Sequence, residues 1–247
     1  MSRIPFHGTR QILRFNWPFY AIAASALGVG AVALRARRWP PVIERGAQLG
    51  LAAGAWWSVA SVAVSWWVYD ASPLYKWDWL RAYFSANPRD WATFHAGVDD
   101  ATPTLRELFG SKGAAYDFFD DSVMVEPSIH RARAISRPDV APIAVDFRAL
   151  DIESDSLDAA FVMLAAHELR EAADRERLFA ELRRVLRTGG TLVVAEHVRD
   201  AANFAAFGPG AFHFFPVEEW RRLGEQFETV EEFAITPFVR VWVWRLP

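Results

Sequence analysis

Residues 146–197 constrain this chain more than any other stretch, because a strand, a crossover helix and a second strand can be read through them without a break. Residues 158–165 (DAAFVMLA) form an apolar run of strand length that leads into the polar pair His167 and Glu168. Leu178, Phe179, Leu182, Val185 and Leu186 then fall on one face of a 3.6-residue period. Gly189 and Gly190 are expected to end that helix, since glycine takes the left-handed conformation of a C-terminal cap without a Cβ clash. The run TLVVAEH is a second buried strand ending in Glu196 and His197. A strand, a helix and a strand in this order imply a parallel sheet in an α/β domain. Ligands bind such sheets at the carboxyl ends of the strands, where both polar pairs fall.

The flanking residues extend the same pattern. Residues 90–96 (DWATFHA) read as a first strand, followed by Gly97 and a loop into a helix over 103–109, with Pro103 in its first turn and Thr102 as N-cap. Residues 114–119 read as a second strand running towards Asp120 and Asp121, and residues 142–145 as a short third strand ending at Asp146. After the central unit, residues 217–227 read as a helix. The chain closes on two strands punctuated by Pro237, an antiparallel pair at the sheet edge.

The first 69 residues differ in kind. They hold seven arginines and one acid, Glu44, for a charge of +6; the rest carries −9, and the total is −3. The body has no basic face, which argues against nucleic acid as a partner. With no cysteine there is no disulfide, no thiolate metal site and no cysteine nucleophile. Residues 17–34 and 47–69 are uncharged runs of 18 and 23 residues, long enough for membrane-spanning helices. Trp17, Tyr20, Trp39, Trp66, Trp67 and Tyr69 lie near their ends, where amphipathic rings favour the headgroup level. The expected organisation is a membrane hairpin over 1–70, a juxtamembrane helix or linker over 71–89 and an α/β domain over 90–247. Arg35, Arg37, Arg38 and Arg45 crowd the hairpin loop, while Arg3, Arg10, Arg14, Lys76, Arg81 and Arg89 flank it on the other side. That balance leans to a cytoplasmic body on a bacterial cytoplasmic membrane.

From about residue 90 onward the chain resembles the class I S-adenosylmethionine-dependent methyltransferases, in particular their broad type 11 group. Asp146 matches the acid that ends the family's third strand, and Ser154-Asp155-Ser156-Leu157-Asp158 matches the segment before its fourth. Residues 182–190 (LRRVLRTGG) look like the family's Arg-Val-Leu-Lys-Pro-Gly-Gly, with Thr188 in place of proline. The resemblance implies a Rossmann-like sheet of seven strands in the order 3-2-1-4-5-7-6, the last pair antiparallel. It implies S-adenosylmethionine as cofactor, with Ala96, Gly97, Asp99, Asp120 and Asp146 at its site. Asp117 is the alternative to Asp120 as the ribose-side acid. The family's first loop is glycine-rich, whereas here Gly97 is followed by Val98, Asp99 and Asp100. Asp99 or Asp100 would suit a cationic sulfonium, or would mark a pocket that no longer binds the cofactor.

His95, His167, Glu168, Glu196 and His197 fall at the ends of neighbouring strands, and His213 lies in an aromatic run after them. His167, His197, Glu168 and Glu196 are the catalytic candidates, with either imidazole as base. The plainer alternative is a set of histidines bonded to backbone groups at strand ends. No HxH or HExxH spacing assigns a metal ligand. Three readings follow: a membrane-anchored methyltransferase of a small-molecule or lipid-like acceptor, a methyltransferase-like scaffold without activity, and, ranked last, a metal-dependent hydrolase.

Overall fold

The computed structural model describes residues 6–110 and 113–247, so Arg3 lies outside the described residues. Seven strands form one sheet: β1 (Trp91–His95), β2 (Ala114–Asp117), β3 (Ile143–Ala144), β4 (Leu157–Met163), β5 (Leu186–His197), β6 (Glu228–Thr236) and β7 (Val239–Arg245). Their order is β3-β2-β1-β4-β5-β7-β6, with β7 antiparallel to both β5 and β6. This is the Rossmann-like arrangement expected from the sequence. The helices between strands are α3 (Thr102–Phe109), α4 (Pro127–Ile135), α5 (Ala172–Val185), α6 (Ala201–Phe207) and α7 (Val217–Gly224).

Two apolar layers sandwich the sheet. On one face Leu178, Phe179 and Leu182 of α5 and Trp220 of α7 pack with Phe94, Phe118, Phe147, Trp242 and Trp244. Each fully buried aromatic of this kind contributes roughly 1.5–3 kcal/mol by leaving water. The other face is covered by Leu105 and Phe109 of α3 and by Leu74, Trp77 and Leu80 from the segment after the hairpin. That segment forms two short 3-10 turns, Leu74–Lys76 and Asp78–Tyr83, instead of one juxtamembrane helix. Trp77 joins them with a positive φ of 57° and a side chain buried to 1 % exposure. So residues 71–89, expected as a juxtamembrane helix or linker, supply part of the sheet's cover through residues 74–84.

Three local expectations are corrected. α5 ends at Val185 and β5 begins at Leu186, so Gly189 and Gly190 do not cap the helix. Gly189, at φ 78°, instead donates to the Leu246 carbonyl, and the Gly190 carbonyl accepts from Leu246 N–H. Thr102 is inside α3, and the polar cap is Asp99, whose Oδ1 accepts from Ala101 N at 3.1 Å and Thr102 N at 2.9 Å. β2 ends at Asp117, three residues before Asp120.

Ahead of the sheet, α1 (His7–Ala36) and α2 (Pro41–Trp66) form an antiparallel hairpin, closed by a π-turn over Trp67–Ala71. Both helices are long and apolar enough to cross a membrane, and their most apolar windows are unburied in the fold. The Asp70 carboxylate caps α1 by accepting from Gly8 N, Thr9 N and the Thr9 hydroxyl. A negative group at a helix N-terminus is favoured by the unpaired N–H groups there. The hairpin leans on the domain along part of its length. Trp56 donates to the Ala205 carbonyl of α6 at 2.9 Å, and Arg131 of α4 donates to the Phe15 carbonyl of α1 at 2.5 Å.

Candidate active site

A cavity of about 980 Å3 lies between the hairpin and the carboxyl ends of β1, β4 and β5. Phe15, Phe19, Tyr20 and Trp57 line it from the helices; His95, Ala96, Asp99, His167, Glu168, His197 and His213 line it from the domain.

Glu196 organises the β4–β5 side. It is fully buried, and its Oε1 accepts from the backbone N–H groups of Ala165, Ala166 and His167 at 2.8–3.3 Å. Its Oε2 accepts from His167 Nδ1 at 2.6 Å, while His167 Nε2 stands 3.5 Å from Glu168 Oε1. Burial opposes a charge on His167, but the two carboxylates outweigh it and raise its pKa to about 10. Glu168 feels the reverse: burial opposes its ionisation, yet the His167 proton holds it below its ordinary value. Its Oε2 is buried without a hydrogen-bond partner.

His197 is held differently. Its Nδ1 donates to the Phe238 carbonyl and its Nε2 accepts from the Tyr69 hydroxyl, both at 2.8 Å. Burial, with the charge on His167, lowers its pKa to about 4. Neither His167 nor His197 therefore offers the free ring nitrogen expected of a base: one is charged and shared by two carboxylates, the other has both nitrogens engaged. His213 sits with its ring 5.2 Å from that of His167, and burial followed by the His167 charge lowers its pKa to about 4. Tyr69, read from the sequence as a headgroup anchor, instead ends inside the cavity wall.

At the head of β1, Gly97 N–H donates to His95 Nδ1, which leaves the ring proton on Nε2, and that donor is buried without a partner. Burial lowers the His95 pKa and keeps the ring neutral. Asp99 caps α3 with one oxygen and buries the other, Oδ2, unpartnered. An orphan donor and an orphan acceptor thus line the same end of the cavity.

The remaining acids are already taken. Gly97 has φ 104°, and a Cβ there would meet the Arg133 side chain, so the backbone approach typical of a glycine loop is filled from within. Arg133 pairs with Asp117 at 2.7 Å and lies over the Phe119 ring at 4.0 Å. Arg148 pairs with Asp120 at 2.8 Å and Asp146 at 3.3 Å and covers Phe147 at 4.1 Å. Neither Asp120 nor Asp146 lines the cavity. The buried acid closing β2 is Asp117, opposite His95, and the strand expected over 114–119, on which the preference for Asp120 rested, ends two residues earlier. The sequence reading also passed over Arg133, Arg148 and Arg170, because an arginine in an amphipathic or loop segment carries no pattern that names its partner.

Comparison with known proteins places this geometry. Residues 102–194 match the family model described as a methyltransferase domain. No curated protein matches the sequence. An S-adenosylmethionine-dependent methyltransferase from Aquifex aeolicus is similar in structure, with a TM-score of 0.54 and 16 % identity over 72 % of this chain and 94 % of that one. The PH0226 protein from Pyrococcus horikoshii OT3 has a TM-score of 0.50 and 17 % identity, over 68 % and 86 %. Geranyl diphosphate C-methyltransferase from Streptomyces coelicolor A3(2), in complex with Mg2+, geranyl diphosphate and S-adenosyl-L-homocysteine, has a TM-score of 0.50 and 11 % identity, over 69 % and 78 %. Residues 102–194 thus resemble a methyltransferase domain, and the chain has the fold of the S-adenosylmethionine-dependent methyltransferases.

Proposed function

We propose that the protein is a membrane-bound S-adenosylmethionine-dependent methyltransferase whose acceptor is a hydrophobic small molecule or lipid-like compound. The observation that carries this reading is the shared wall of the cavity, in which apolar side chains of both hairpin helices face the polar strand ends across one space. Phe204 and Phe212 support it: at 41 % and 60 % exposure they lie beside the Trp56–Trp57 level of α2, a site for contact with the acyl boundary. Six basic residues on the domain side (Arg3, Arg10, Arg14, Lys76, Arg81 and Arg89) against four in the hairpin loop (Arg35, Arg37, Arg38 and Arg45) support a domain on the cytoplasmic face of a bacterial membrane.

The residues at the head of β1 fit the amino-acid end of the cofactor. Asp99 Oδ2 suits its ammonium and His95 Nε2–H its carboxylate, with Ala96 lending backbone. When bound, the cofactor supplies a methyl group on a positively charged sulfur. The chain's own task is to hold the acceptor in line and to exclude water. Glu168 and neutral His213 are the groups placed to take a proton from the acceptor. Glu196, through His167, fixes where Glu168 stands, and the Tyr69–His197 pair forms the wall behind them.

One observation favours a second reading, a scaffold without activity: Arg133 and Arg148 occupy the acids that an adenosine would use. Calorimetric titration of the full chain in detergent with S-adenosylmethionine and S-adenosylhomocysteine separates the two. Binding is the expected outcome, and the absence of heat at millimolar ligand would leave the scaffold reading. Carbonate extraction of membranes tests the anchor, and release of the chain into the supernatant would contradict it.

A further inference from the structure

The geometry points to a divalent-metal site at the floor of the cavity, with His167 Nε2, Glu168 and His213 as ligands, the ion displacing to solvent the proton that His167 Nε2 otherwise carries. One donor atom from each of the three lies within 4.8 Å of the others. Two imidazoles and one carboxylate are the donor set of borderline transition cations such as Zn2+ and Co2+.

Three further features fit this use better than a simple ion pair. First, His167 Nδ1 donates to Glu196 Oε2, and Glu196 is itself held by three backbone N–H groups. A ligating histidine is commonly oriented in this way, by a carboxylate on its other ring nitrogen. The outward nitrogen, Nε2, is the one aimed at Glu168. Second, Glu168 Oε2 is buried with no hydrogen-bond partner, an arrangement that is costly unless something occupies it. Third, Arg170 Nη1 donates to the carbonyls of both His167 and His213, at 3.0 and 2.6 Å, and so ties the two ligand-bearing segments together. These segments lie 46 residues apart in sequence, and with an ion between them Glu168 and His213 are its ligands in place of the proton-accepting role they have without it.

All three ligands line the cavity, so a tetrahedral ion held by them keeps one position open towards it. An oxygen donor on the acceptor, such as a hydroxyl, is the group that position would take. Only this last point rests on the methyltransferase reading; binding of the ion does not.

The test uses the full chain in detergent, stripped with chelator and titrated with Co2+ alone, without cofactor. The expected result is a visible absorption band saturating at one ion per chain, displaced by Zn2+, with Zn2+ raising the melting temperature. His213→Ala and Glu168→Gln are expected to abolish the band. Glu196→Gln, which touches no ion, is expected to weaken binding 10–100-fold. A folded wild-type chain that gives no band, or an unchanged band in the folded His213→Ala and Glu168→Gln variants, overturns the assignment. Because no cofactor is present, the outcome is independent of whether S-adenosylmethionine binds.

Discussion

The two ends of the cavity use acidic residues in opposite ways. At the β4–β5 end Glu196 is sealed in the interior and bonded by backbone, so its position follows from the fold itself. At the β1–β3 end buried Asp117 is held by the partly exposed Arg133 side chain, and the more exposed Asp120 and Asp146 by Arg148. A carboxylate wired to backbone is preorganised and has one state. A carboxylate paired to a long side chain can exchange that partner for a ligand, because an exposed ion pair contributes little. The β4–β5 end is thus rigid and the β1–β3 end adjustable.

The largest effect expected from this contrast is at Glu196. Glu196→Ala leaves three N–H groups and a buried imidazolium without their acceptor, and should destabilise the chain by about 3–5 kcal/mol, read by denaturant unfolding. A loss below about 1 kcal/mol would erase the difference between the two ends.

Next comes pH. His197 and His213 have folded pKa values of about 4, below an unfolded value of about 6.5, so their contribution is full above pH 6.5 and is lost as pH falls towards 4. His167 is raised to about 10, so its contribution is full below pH 6.5 and is lost as pH rises towards 10. Stability should therefore peak near pH 6.5–7, with an acid limb of about 3 kcal/mol for each depressed histidine. His197→Gln should flatten that limb in melting curves from pH 4.5 to 7; an unaltered limb would mean that His197 is not held neutral.

A smaller effect is expected at Arg133. Arg133→Ala vacates the space over Gly97 and frees Asp117, so affinity for S-adenosylhomocysteine should rise about tenfold, equal to about 1.4 kcal/mol. Unchanged or weaker binding by calorimetry would show that the guanidinium is not competing with the ligand. The smallest effect is expected at Asp146, which shares Arg148 at the surface and does not line the cavity. Asp146→Ala should change stability by less than about 0.5 kcal/mol and affinity by less than about twofold. A larger loss of affinity would restore Asp146 to the cofactor's site.

Much of the fold was legible because it rests on local pattern. The apolar run at 158–165, the amphipathic face from Leu178 to Leu186 and the TLVVAEH strand each carry their period in the sequence. The polar groups after them were legible as cavity-lining residues, as His167, Glu168 and His197 are, because strand ends face the ligand side. Their roles were not. Whether His167 is a base or a charged partner depends on how Glu196, 29 residues away, is buried and bonded, and spacing does not encode that. Similar limits hid Tyr69, which looks like a membrane anchor at the end of an apolar run but reaches His197 across 128 residues. Gly189 and Gly190 misled for a local reason: the helix yields to extended backbone at Leu186 before either glycine is reached.

The sequence by itself determined the strands, the helices between them and the presence of two apolar helices, because periodicity, strand length and apolar run length are properties of neighbouring residues; the order of the strands followed from the family resemblance. Only the tertiary structure decided that these helices form one wall of the site. Only it decided which acids are free and which are held by arginine, because charge pairing and desolvation depend on residues brought together from distant parts of the chain.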